Sequence, residues 1–137
     1  MNTNKTQAEQ LPQDAVMQSV LKQNDCRYGN YIIYGGSITQ LNEKEMCHFF
    51  RFPETYKPIP LTEEWLLKFG FKKDIIVDLY RLHNEFGSII YYSSTSVEKA
   101  KINFMLTGAC FTNNTIINVH QLQNLYFALT GSELTVA

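Results

Sequence analysis

The stretch 119-VHQLQNLYFALTG-131 decides how this chain folds. Val119, Leu122, Leu125, Tyr126 and Leu129 recur at helical spacing and form one apolar face. His120, Gln121, Gln123 and Asn124 form the other face, which is amide and imidazole rather than charge. Asn118 supplies an N-cap and Gly131 a left-handed stop. The apolar stripe predicts a helix that closes over a sheet. The amide face has no partner visible in the sequence. Gln123→Ala is therefore expected to leave the domain folded, and Leu125→Asp to unfold it.

A second helix is written into 59-IPLTEEWLLKFGF-71. Thr62 is a good N-cap, and Glu63 and Glu64 fill the first turn, where the helix dipole favours negative charge. Leu61 is placed to staple onto Leu66, and Gly70 to end the helix with Phe71 folding back on it. Trp65 shares a side with Leu61, Leu66 and Phe69 and is expected in the core.

Strand patterns occupy most of the rest. Arg27–Tyr34 and Ser37–Leu41 flank Gly35-Gly36, which predicts a hairpin, since both turn residues need positive φ. Residues 46–52 read as a third strand. Pro53, Pro58 and Pro60 then give an extended link. Residues 75–83, 87–93 and 101–107 predict three antiparallel strands. Residues 108–118 are ambiguous, with Ile116 and Ile117 as a short fourth strand, and 133–136 are a last strand or a tail. Pro12 opens an amphipathic helix over 12–23. Residues 1–11 are expected to be flexible, and 12–137 to form a single α+β domain with 12–23 as an accessory helix.

Composition limits the partners. The chain has 137 residues, 45% hydrophobic and 13% aromatic, which is a folding composition for one domain. Twelve Lys and Arg against 13 Asp and Glu leave a formal net charge of −1. That is neither the basic excess of a general nucleic-acid binder nor the strong acidity of a nucleic-acid mimic. Cys26, Cys47 and Cys110 are widely spaced and predict reduced thiols. No run of about 18 apolar residues predicts a membrane span.

No catalytic grammar stands out. His48, His83 and His120 lack a ligand-type partner at helical spacing, and there is no G-x-S-x-G, P-loop or G-x-G-x-x-G. Glu63 and Glu64 diverge by about 100° as neighbours on a helix, so they cannot share one reacting atom. No catalytic residue, cofactor or metal is expected. The candidate interaction surface combines interleaved aromatic and basic residues with the polar side of the last helix. It comprises Tyr80, Arg81, Tyr91, Tyr92, Lys99, Lys101, His120 and Gln123. Exposed rings beside cations suit stacking on RNA or single-stranded DNA.

At IPLTEEWLLKFGF (59–71) and VHQLQNLYFALTGSEL (119–134) the chain resembles a family of small proteins encoded by bacteriophages and prophages. The Gly-containing turn Arg27-Tyr-Gly-Asn30 and the Pro-rich link fit the same pattern, across roughly 26–136. Residues 1–25 look like an addition, and 93–118 departs from the simple meander expected. The resemblance carries no catalytic residues. It implies a counter-defence protein in the cytoplasm of an infected bacterial cell, with a host defence protein as partner. An RNA-guided CRISPR nuclease, or its guide-RNA loading, is the leading target. The alternatives are a small phage regulator that binds RNA or DNA directly, and a small enzyme.

Overall fold

Among the described residues the chain forms two antiparallel sheets and three α-helices, and the larger core joins two of the helices to Tyr31 and Ile33 of the first sheet and to Tyr80 and Leu82 of the second. A computed structural model describes residues 20–76, 79–85, 87–92, 101–106, 109–113 and 116–137, with side chains described for 20–76, 79–85 and 116–137. Residues 1–11 and most of the helix predicted over 12–23 lie outside the described residues. From Val20 to Lys22 the chain is not helical, and a turn follows in which the Asp25 N–H donates to the Lys22 carbonyl at 3.0 Å.

The first sheet runs β2–β1–β3, with β1 at Tyr31–Tyr34, β2 at Ser37–Gln40 and β3 at Tyr56–Lys57. Gly35 and Gly36 close the predicted hairpin with φ of 58° and 80°, angles that side chains with a Cβ adopt poorly. Successive residues of β1 face opposite ways. Tyr31 and Ile33 pack on a core of Ile59, Trp65, Leu66, Phe69, Phe71, Tyr80, Ile116, Val119, Leu122 and Leu134. Ile32 belongs to a second core with Leu21, Cys26, Leu41, Phe49 and Tyr56. One strand is thus the common wall of two cores.

The strand predicted over 46–52 is instead part of helix α1, Glu43–Arg51. Aromatic-rich Met-Cys-His-Phe-Phe-Arg-Phe suits a strand by propensity, but capping and burial override it. Asn42 Oδ1 accepts from the Lys44 and Glu45 N–H groups at 2.9 and 3.2 Å, and Glu43 and Glu45 sit in the first turn. Phe49 is then fully buried against Leu41 and Ile32. A 3₁₀ turn at Pro53–Thr55 leads into β3. Helix α2, Glu63–Lys68, forms as read: the Thr62 hydroxyl accepts from the Trp65 N–H, and Trp65 and Leu66 are buried. Its end is a Schellman motif, Phe71 N–H to Leu66 C=O and Gly70 N–H to Leu67 C=O, both at 3.0 Å.

The second sheet runs β4 to β8 in chain order: Lys72–Lys73, Leu79–Asn84, Gly87–Tyr92, Lys101–Leu106 and Ala109–Asn113. The three predicted antiparallel strands are β5, β6 and β7, and β8 resolves part of the ambiguous 108–118. The strand expected to begin at Ile75 begins at Leu79. Ile75 and Ile76 are 100% and 93% exposed in a turn, where Asp74 N–H donates to the Leu79 carbonyl and Ile76 N–H to Asp74 Oδ1, each at 2.9 Å. Val77 and Asp78 lie outside the described residues. Ile116 and Ile117 form no strand. They and the residues that follow run beside the Pro-rich link, Leu61 N–H to Ile117 C=O and Val119 N–H to Ile59 C=O, both at 2.9 Å. Residues 133–136 form a tail in which Leu134 is buried.

Helix α3, Val119–Thr130, is the helix that opened the sequence reading. Gln121 Oε1 accepts from the Ile117 and Asn118 N–H groups at 2.9 and 3.0 Å, which closes its start. Its apolar side packs as expected: Val119 and Leu122 are buried, and Leu125, Tyr126 and Leu129 flank the same core. The amide side corrects the expectation of a free outer face. Gln123 is fully buried, accepts from the Tyr31 N–H at 2.9 Å, and donates to the Gly29 and Leu134 carbonyls at 3.1 Å. Asn124 Nδ2 donates to the Asp25 carbonyl at 2.9 Å, and the Arg27 guanidinium lies 3.7 Å over the Phe127 ring and 2.6 Å from Glu133. The residues reached are the turn Arg27–Asn30, whose Gly29 has φ of 88°. His120 is also buried, and its Nδ1 makes no hydrogen bond.

Two outcomes follow from that joint. Gln123→Ala removes the partner of the Tyr31 N–H and of the buried Leu134 carbonyl, while the Gly29 carbonyl keeps Gln40 Nε2 at 3.2 Å, so at roughly 1 kcal/mol each the urea midpoint should fall by the equivalent of about 2 kcal/mol. This reverses the sequence-based expectation; an unchanged midpoint would mean that water replaces the amide. For His120, burial pushes the imidazole below its ordinary value, with Asp25 opposing this. A depressed histidine contributes stability that is complete above its unfolded value of about 6.5 and is lost as pH falls below it. The midpoint should therefore decline from pH 7.5 to 5.5, by at most about 1.4 kcal/mol per pH unit for one group, and His120→Gln should flatten that slope.

Candidate interaction surface

Glu45, His48 and Phe52 lie three and four residues apart, so α1 and its C-cap put them in one stripe. The stripe faces two tyrosines that the first sheet pairs directly, Tyr34 of β1 and Tyr56 of β3. Their rings stack with centroids 4.7 Å apart at 25°. The His48 ring stands edge-on to both, at 5.4 Å from Tyr34 and 5.7 Å from Tyr56, and 5.2 Å from Phe52. His48 Nδ1 lies 2.8 Å from the Tyr56 hydroxyl.

Tyr56 is buried, and burial first, then Tyr34 and Glu45, hold its phenol above the ordinary tyrosine value. The phenol is neutral, and its hydroxyl and His48 Nδ1 share one hydrogen bond. Tyr56 is the floor of the surface; Tyr34 and Phe52 are its exposed rim, at 41% and 46% exposure. Glu45 Oε2 is shut from water and has no hydrogen-bond partner. Rings of this kind, fixed on a helix and a sheet, suit anchoring a partner.

Of the residues nominated from the sequence, the described Tyr80, His120 and Gln123 are buried and only Arg81 is exposed. Tyr80 is buried, and Lys73 lies 5.4 Å over its ring, so it is no stacking platform. Arg81 is exposed, opposite Lys72 in the strand register, and 3.8 Å from Asp74. Tyr91, Tyr92 and Lys101 occupy β6 and β7, with Tyr92 opposite Lys101, but their side chains lie outside the described residues. Lys99 lies outside them altogether. His120 and Gln123 are spent on the α3 joint. Sequence reading missed Tyr34, His48, Phe52 and Tyr56. The usable signal was the 45/48/52 spacing, hidden once the segment was read as a strand.

Among the other described ionisable groups, Glu63, Lys73 and Tyr80 interact, with Lys73 3.4 Å from Glu63 and 5.4 Å over the Tyr80 ring. Burial, then Asp25, pushes the Cys26 thiol up to about 12, so it stays protonated and inert. Cys47 is exposed on α1. Among the described residues, no three His, Cys, Asp or Glu side chains come together to hold a metal, and no helix is long and apolar enough to cross a membrane.

Tyr56→Phe leaves the half-buried His48 Nδ1 without its hydrogen-bond partner. It should lower stability by about 1 kcal/mol, read from the denaturant midpoint. Tyr34→Phe keeps the stack and should leave the midpoint within about 0.5 kcal/mol of wild type.

In comparisons with known proteins, the chain matches no family model, no curated protein and no solved structure.

Proposed function

We propose that this chain is a phage-derived interaction protein that binds and inhibits a bacterial defence system, with an RNA-guided nuclease or its guide-RNA loading as the target. The resemblance at 59–71 and 119–134 supplies the context. The observation that carries the reading is the exposed aromatic rim of Tyr34 and Phe52 over the fixed Tyr56 and His48. Large apolar rings held in water at one place lower solubility, and interfaces recruit such rings as anchors. Inhibition by binding needs a rigid face of about 800 Å² per partner and no reacting group. The burial of Tyr80 weighs against a stacking surface for bases on β5, and the net charge of −1 supplies little long-range attraction to phosphates.

Size exclusion of the protein mixed with purified RNA-guided nucleases, with and without guide RNA, tests the reading. Co-elution and slower target cleavage are expected. The double variant Tyr34→Ala/Phe52→Ala should weaken the complex by about tenfold or more, as loss of anchor rings does. Separate elution with uninhibited cleavage would end the proposal. A salt-dependent shift of RNA by the protein alone would put a direct RNA binder in its place.

A further inference from the structure

Glu45 is the odd member of the aromatic stripe. Asn42 Oδ1 accepts from its backbone N–H, yet its Oε2 is out of water without a hydrogen bond, and no Lys or Arg pairs with the carboxylate among the described residues, which leaves Oε1 to meet a partner. Its charge reaches Tyr56, where it helps to raise the phenol. The α1 N-terminus offsets part of this charge through the helix dipole but supplies no counter-ion.

We infer that the stripe is a receptor for a cationic side chain, an arginine of a protein partner, held between the Glu45 carboxylate and the rings of Tyr34, His48 and Phe52. Three features select this occupant. The carboxylate is uncompensated, so charge complementarity calls for a cation. The surrounding rings present electron-rich faces, to which a cation is attracted. A guanidinium is flat, so it can lie on a ring and still hydrogen-bond a carboxylate in its own plane, which an ammonium does less well. A neutral apolar group would use the rings and leave Glu45 as it is. A phosphate would be repelled by it.

The inference rests on the interaction reading and names what the partner brings to the same face. Its test does not need the partner. The full chain, labelled with nitrogen-15, is titrated with Nα-acetyl-arginine amide and, separately, with the citrulline analogue, which has the same shape and no charge. Saturable amide shifts centred on Tyr34, Glu45, His48 and Phe52 are expected, with Kd on the order of ten millimolar for one such contact. Citrulline should bind at least about threefold more weakly, and Glu45→Gln should lose the difference between the two while keeping the wild-type melting temperature. Shifts that fail to saturate, equal binding of citrulline, or an unaltered preference in Glu45→Gln would each overturn the inference. Such a failure leaves co-elution with a nuclease untouched, and a failure to co-elute leaves the titration untouched.

Discussion

The side-chain amide of Gln123 carries a joint on which the architecture depends. A helix can cover a sheet with apolar contacts alone, but such contacts do not say where along the sheet it stops. Gln123 does. Its single carbonyl and two N–H donors meet the first backbone group of β1, the turn before it and the C-terminal tail, the last two out of water. Buried polar groups are expensive to leave unmade, so wrong placements of α3 are penalised by more than lost packing. Asn124 and the Arg27–Phe127 contact extend the same seam.

The seam also ties the two cores together. It fixes the start of β1, and β1 then sends Tyr31 and Ile33 to one core and Ile32 to the other. The outward end of the strand, Tyr34, is what remains for the surface. The aromatic stripe is a by-product of that placement: Tyr34 meets Tyr56 in register, and α1 lays His48 across both. Rigidity in the rim therefore comes from the folding core beneath it, as anchoring surfaces require.

Much of this was legible, and the failures have physical causes. The cap, first turn and Schellman end of α2 are local chemistry and could be read directly from Thr62, Glu63, Glu64 and Gly70. The Gly35–Gly36 turn is equally local. α1 was misread because four of its six misassigned residues, Met46, Cys47, Phe49 and Phe50, have strand-like or apolar character, while the decisive signal, Asn42 ahead of Glu43 and Glu45, lies outside that run. Ile75 and Ile76 look like core by type, yet Asp74 turns the chain before them. The amide face of α3 was assigned to water because its side chains are polar. The better reading was that a polar face with neither lysine nor glutamate is suited to burial, since amides can be satisfied by backbone groups where charges cannot. The candidate surface was illegible for a further reason: Tyr34 and Tyr56 meet only through strand pairing across 22 residues of chain.

The two ends of β1 differ in what they leave free. Ahead of it, the turn Arg27–Asn30 is clamped by α3, and a residue added or removed there would trade the faces of Tyr31, Ile32 and Ile33. Beyond it, β2 is an edge strand whose own residues bury little, and the open Gly35–Gly36 turn touches no core side chain. Length variation among natural variants, or a peptide tag spliced into the domain, should therefore be accommodated between Tyr34 and Ser37 and rejected between Arg27 and Asn30.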